Sequence, residues 1–71
     1  MSRYLVIIEE SDSGYSAFLP DLPGCIATAS SREEVESLMR EGVELHLEGL
    51  RESGEPVPPP RATAAYVEVA A

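Results

Sequence analysis

Tyr15, Ala17 and Leu19 alternate with Ser16 and Phe18, which is the period of a β-sheet. With the apolar run at 4–8 and the turn residues between these segments, the sequence predicts strands over about residues 3–9, 14–19 and 25–29, with a polar hairpin loop at 10–14. Pro20 ends the second strand because it has no N–H to donate. Pro23-Gly24 has the residue types that a type II turn requires, so the chain turns before the third strand.

After Ser30 the apolar positions recur every three or four residues, which predicts one long amphipathic helix. Ser31 and Glu34 fit a capping box at its start, and Ser30 with Glu33 is the competing register. Gly54 ends the helix. The broad apolar face comprises Val35, Leu38, Met39, Gly42, Val43, His46, Gly49 and Leu50. The two glycines within it, at 42 and 49, are expected to pack closely on the sheet, which would offset their low helix propensity.

Four prolines in residues 55–60 predict an extended exit, and alternation at 64–69 predicts a last strand. The element order is β-β-β-α-β. We therefore expect a single α+β domain over residues 1–71, with an antiparallel sheet and one long helix packed on one face.

Both faces of the first predicted strand are apolar, which is unusual for a sheet with one solvated face. If Tyr4, Val6 and Ile8 pack under the helix, Leu5 and Ile7 are left for a second subunit, or the reverse. Because a chain of 71 residues buries a marginal core, self-association as a homodimer or homotetramer is expected.

The net charge of −8 argues against direct nucleic-acid binding and is compatible with a basic protein partner. All five basic residues are arginine, and they form no cluster in the sequence. No apolar run approaches the ~20 residues that span a membrane. The single cysteine cannot form an internal disulfide, so the cytoplasm is the expected compartment.

No set of residues in the sequence is arranged for catalysis, so neither enzymatic activity nor a metal or cofactor is expected. His46, the only histidine, is interpreted as a packing or interface residue, and Cys25 as a buried, inert thiol. A nuclease would need carboxylates that converge on a metal, whereas Asp12 and Asp21 both lie in turns.

Acidic residues follow one another along the outer face of the predicted helix. This stripe is Glu41, Glu44, Glu48 and Glu52. It is interpreted as a solvated face, or alternatively as an electrostatic landing surface for a basic partner. Arg40 is expected to pair with Glu36 and Glu44, and Arg51 with Glu55.

Several motifs occur in the order and at the spacing of the HicB family of antitoxins, which the chain resembles over about residues 3–69. They are Gly14-Tyr15, Pro20-Asp21-Leu22-Pro23-Gly24-Cys25, Ser31-x-x-Glu34, Leu45-His46-Leu47 and Gly54-Glu55-Pro56-Val57-Pro58. The resemblance implies a truncated ribonuclease-H-like fold without metal-binding carboxylates. It also implies an antitoxin that binds and occludes a small basic HicA-like toxin, which cleaves mRNA.

Many members of that family carry a C-terminal DNA-binding segment, for which no residues remain after the last predicted strand. Repression of an operon is therefore not expected. The alternative function is a self-associating binding or scaffold module of the same fold, without a toxin partner. The partner interface is predicted at Pro20, Asp21, Leu22, Pro23, Glu41, Glu44 and Glu48, and self-association at Leu5 and Ile7.

Overall fold

The computed structural model describes residues 2–70, which contain three strands and one helix. The elements are β1 (Ile7–Ser11), β2 (Gly14–Phe18), β3 (Ile26–Ala29) and α1 (Arg32–Glu52). The strands form one antiparallel sheet in the order β1-β2-β3, and α1 packs on β2 and β3 across one face of it. The predicted α+β class, with one long helix on an antiparallel sheet, is confirmed. No helix in residues 2–70 combines the length and apolar character needed to cross a bilayer.

The first strand begins four residues later than predicted, at Ile7 instead of residue 3. In the β1–β2 register Ile7 pairs with Phe18, so earlier residues would have to pair with Leu19 and Pro20. The Leu19 N–H points to the third strand, where it donates to the Cys25 carbonyl at 3.2 Å, and Pro20, the next residue to face the first strand, has no N–H. The hairpin is also tighter than predicted, because Ser11 pairs with Gly14 across a two-residue loop.

The start of α1 is capped by Ser31, whose Oγ accepts a hydrogen bond from the Glu34 N–H at 3.1 Å. The Glu34 carboxylate accepts from the backbone N–H and the hydroxyl of Ser30, rather than from the predicted N–H of Ser31. The reciprocal half of the capping box therefore closes one residue earlier than predicted. At the other end, Gly54 has φ +72°, the left-handed conformation that ends many helices.

The core lies between α1 and the sheet. Its buried residues are Ala17, Leu19, Leu22, Cys25, Val35 and Met39, and Tyr4, Val6 and Ile8 pack against them. Tyr4, Val6 and Ile8 therefore pack under the helix, which confirms the first of the two orientations considered for these residues. Gly42 faces the core, since a Cβ added there would lie 3.7 Å from Cys25 Sγ. The expected close packing of Gly49 is wrong, because a Cβ there would have nothing within 4 Å.

The predicted fourth strand at residues 64–69 does not join the sheet. These residues are exposed, with Tyr66 fully so and Val67 81% exposed. The radius of gyration is 14.0 Å, against about 11 Å for a compact chain of this length. The apolar alternation is strand-like, but a strand also needs a neighbouring edge, and this segment extends away from the core.

Candidate functional site

The loop between β2 and β3 is held as a compact unit by its own backbone. The hydrogen bond from the Leu19 N–H to the Cys25 carbonyl closes the loop. Within it, the Leu22 N–H donates to the Leu19 carbonyl at 3.3 Å, and the Cys25 N–H donates to the Leu22 carbonyl at 3.2 Å. Gly24 has φ +88°, as the third position of a type II turn requires. Pro20 and Pro23 are exposed, so the loop presents a fixed proline-rich surface.

Two residues predicted at this interface have internal partners. Leu22 is fully buried in the core, so it cannot contact a partner and instead supports the loop from beneath. The Asp21 Oδ2 accepts hydrogen bonds from the backbone N–H groups of Arg61 and Ala62, each at 2.9 Å. The carboxylate thereby fastens the C-terminal segment to the β2–β3 loop across forty residues of sequence.

The acidic stripe lies on the solvent side of α1. Its residues Glu41, Glu44, Glu48 and Glu52 are all exposed. The 100° step per residue of a helix places the first three opposite Met39, which is buried.

The ion pair present among the described residues is Arg32–Glu36, at 3.0 Å on the exposed first turns of α1. The ion pairs predicted for Arg40 and Arg51 are not formed in residues 2–70.

Two leucines beside the acidic stripe were not predicted to be exposed. Leu38, placed on the apolar face, is 41% exposed, and Leu45 is 69% exposed. They are seven residues apart, so they lie on the same side of the helix. The sequence did contain a sign of this exposure, because the apolar face of the helix is wider than one face of the sheet can cover. Exposed apolar side chains beside charged ones are the composition that protein interfaces use.

The sheet face away from α1 carries a row of apolar residues in register. Ile7 pairs with Phe18, and Phe18 pairs with Ile26, so one side chain from each strand lies in the row. Phe18 is 39% exposed and Ile26 75% exposed. We call this row the open-face row. Leu5, two residues before Ile7, is half-buried, as is Ile7 itself.

Cys25 and His46 are the two side chains that were considered for a chemical role. Cys25 is buried, as predicted, and burial raises the pKa of its thiol above the ordinary value. A raised pKa lowers the thiolate fraction and therefore the reactivity. His46 is half-buried on α1. Within residues 2–70, no group of three or more His, Cys, Asp or Glu side chains is placed to hold a metal ion.

The fold and these surfaces define a small acidic α+β protein with exposed apolar and charged faces. A family model described as "HicB_like antitoxin of bacterial toxin-antitoxin system" matches residues 4–70. The chain belongs to this family of HicB-like antitoxins.

Two curated relatives extend the comparison. A UPF0150 protein of Synechocystis sp. is 41% identical over 57 residues, which cover 79% of this chain and 72% of the relative. An "uncharacterized 14.9 kDa protein in rep-hol intergenic region" of Haemophilus phage HP1 is 30% identical over 64 residues. That match covers 90% of this chain and 48% of the phage protein, so the chain spans about half the length of this relative.

Among solved structures, the chain resembles one from a complex described as "HicA3 and HicB3 toxin-antitoxin complex". The TM-score is 0.69 at 27% sequence identity, over 83% of this chain and 70% of the other. The predicted HicB-like fold is thereby confirmed.

Proposed function

We propose that this protein is the antitoxin of a type II toxin–antitoxin pair, acting in the cytoplasm by binding a small basic HicA-like toxin and covering its RNA-binding surface. It acts by occlusion and not by catalysis. The observation that carries the proposal is the similarity to a chain from a HicA3–HicB3 complex, at a TM-score of 0.69. Membership of the HicB-like antitoxin family supports it independently.

The outer face of α1 is the part of the surface best suited to a basic toxin. Three exposed glutamates of the acidic stripe, at 41, 44 and 48, project from one side of a rigid helix. Leu38 and Leu45 beside them supply exposed apolar area. Charge complementarity accelerates association, and burial of the leucines contributes affinity, so the two features act together.

The exposed prolines of the β2–β3 loop, Pro20 and Pro23, form a second part of the proposed toxin interface. Their loop is closed by backbone hydrogen bonds and fixed from beneath by Leu22. A surface that is rigid before binding loses little conformational entropy when it is covered. Asp21 contributes by holding this surface in place, because its carboxylate accepts two backbone N–H bonds.

The experiment is a binding titration between this protein and the HicA-like protein encoded beside its gene. Reversing three charges of the acidic stripe, with Glu41→Lys, Glu44→Lys and Glu48→Lys together, should weaken the complex about tenfold or more and flatten its salt dependence. The control combines Glu9→Lys, Glu10→Lys and Glu55→Lys, which change the net charge equally at exposed positions elsewhere.

The control variant should bind within about threefold of the unmodified chain, because distant charges are screened at physiological salt. Equal weakening by both triple variants would show that net charge alone is responsible, and would contradict the proposed surface. Absence of any complex with the unmodified chain would contradict the antitoxin function.

The alternative function, a self-associating binding module without a toxin, is favoured by the open-face row. Ile26 is 75% exposed there, next to Phe18 and Ile7 in the ladder. An apolar row on a free sheet face is a surface that a second copy can cover. Leu5 and Ile7 remain the proposed self-association residues, since they belong to the face away from α1. The two functions differ in whether the toxin titration gives a complex.

A further inference from the structure

A groove of about 800 Å³ lies beside α1, where the helix meets the N-terminal segment and Val57. Sites for small molecules have volumes in this range. Three arginines line it, at positions 3, 40 and 51, and we call it the arginine groove. Among the residues that line it, Glu44 alone also belongs to the proposed toxin interface, so the groove is a separate feature of the surface.

The floor of the arginine groove is apolar. Met39 is buried in the core, and Val6, Val43 and Leu47 are half-buried and pack against it. Tyr4, which also lines the groove, is held in place by the hydrogen bond from its hydroxyl to the Pro58 carbonyl. Because the core supports these side chains, the floor is formed before a ligand binds, and little conformational entropy is lost on binding.

The fold brings together three of the five basic residues of the chain at this groove. Arg3 comes from the N-terminal segment, whereas Arg40 and Arg51 lie about three turns apart on one flank of α1. All three are exposed, and within residues 2–70 none of them forms an ion pair. Like charges gathered in one place repel each other, and an anion bound between them removes that repulsion.

Two glutamates also line the groove, but its charge remains positive. Glu36 Oε2 lies 3.0 Å from Arg32 Nε, so this carboxylate already has a cationic partner. Glu44 is exposed and has no such partner in the described residues. Three guanidinium groups against the single Glu44 carboxylate leave the groove cationic on a chain whose net charge is −8. It therefore favours an anionic ligand and disfavours a basic toxin.

The arginines and the floor together select the chemistry of the ligand. A guanidinium group matches a carboxylate, because the two form a pair of parallel hydrogen bonds. The floor side chains are hydrocarbon or thioether, so the remainder of the ligand is apolar. Met39 and Leu47 lie about 12 Å apart along α1 at ~1.5 Å per residue, which is close to the extended length of a decanoate chain.

We propose that the arginine groove binds a free medium-chain carboxylic acid. Its carboxylate is held by the guanidinium groups of Arg3, Arg40 and Arg51, and its hydrocarbon chain lies on the apolar floor. The ligand class follows from one juxtaposition, an apolar floor beneath three arginines that have no ion-pair partner in residues 2–70.

The test is isothermal titration calorimetry of the full chain with decanoate, octanoate and decyltrimethylammonium, each below the concentration at which it forms micelles. Decanoate should bind as one molecule per chain and about tenfold more tightly than octanoate, because two further methylene groups are buried. The cationic decyltrimethylammonium has an equivalent tail and should bind at least about tenfold more weakly than decanoate, because its charge has the wrong sign.

Substitutions separate the arginines from the floor. Arg40→Gln combined with Arg51→Gln should weaken decanoate binding about tenfold but keep the preference for decanoate over octanoate, because the floor is unchanged. Leu47→Gln should instead reduce that preference to about threefold or less, because a polar group interrupts the floor. The matched control for charge combines Ser13→Glu and Thr28→Glu, which lower the net charge equally at exposed positions of the sheet. It should bind decanoate within about threefold of the unmodified chain. Circular dichroism checks that each variant is folded.

Three results would overturn the ligand site. They are the absence of saturable decanoate binding, equal affinities for decanoate and decyltrimethylammonium, and equal weakening by the arginine variant and the charge control. Binding to phosphatidylglycerol vesicles without binding of free decanoate would also overturn it, and would assign the arginines to a membrane surface instead. These titrations contain no toxin, so the ligand site and the antitoxin function fail separately.

Discussion

Leu22 is the residue that joins the β2–β3 loop to the core, since its side chain is fully buried beneath exposed prolines. Leu22→Ala should lower the free energy of unfolding by about 2–5 kcal/mol, from lost burial and the cavity that remains. Urea denaturation followed by circular dichroism measures it. Leu45→Ala, at a 69% exposed position, is the matched control and should change stability by less than about 0.5 kcal/mol. Equal effects of the two substitutions would contradict the burial assigned to Leu22.

The buried thiol of Cys25 makes stability depend on pH. Because burial raises its pKa in the folded state, the neutral thiol is favoured by folding. The full stability is present below the unfolded-state pKa, and part of it is lost as the pH rises through the folded-state pKa. We expect the free energy of unfolding to fall above about pH 8.5. Cys25→Ala should flatten this fall, and an unchanged slope in that variant would contradict the assignment.

The role of a single residue could be predicted from the sequence where the local backbone or its surroundings favour one residue type. The Gly24 turn, the Ser31 cap and the buried Cys25 all follow from local chemistry. Leu22 was instead predicted at the partner surface, because a leucine between turn residues gives no local sign of burial. Whether it is buried depends on how the loop closes over the core, which Leu22 shares with Val35 and Met39 of the distant helix.

The helix glycines offer a test of how α1 is built. Gly49 lies in the helix interior, where an added Cβ would have nothing within 4 Å, so Gly49→Ala should stabilise by up to about 1 kcal/mol. Gly54 has φ +72°, so Gly54→Ala should destabilise by about 1 kcal/mol. Each change should move the thermal midpoint by several degrees, in opposite directions. A fall in the midpoint for Gly49→Ala would contradict the open surroundings of that glycine.

Strand positions were less predictable than the helix. The period-2 pattern located β2 and β3 to within one residue, but β1 begins four residues late. The pattern reports side-chain alternation, whereas a strand exists only where a neighbour offers backbone partners. Pro20 has no N–H to offer, so residues 2–6 form no strand in the described chain. Residues 64–69 likewise alternate as a strand does, but no strand is formed there in the described chain.

Charge and polarity distinguish two proposed interaction surfaces on the molecule. The acidic stripe of α1 and the β2–β3 loop form the proposed toxin surface, and the open-face row forms the proposed self-association surface. These two surfaces have no residue in common, because the row lies on the sheet face away from α1. One dimer can therefore present two toxin surfaces at once.

The most direct test of the proposed antitoxin function is RNA cleavage by a HicA-like protein encoded beside this gene, measured while this protein is titrated in. An antitoxin that acts by occlusion should stop cleavage at a stoichiometric ratio, and removing three charges of the acidic stripe should shift that ratio upward. The protein alone should leave the RNA intact. Undiminished cleavage in the presence of excess protein would contradict the antitoxin function.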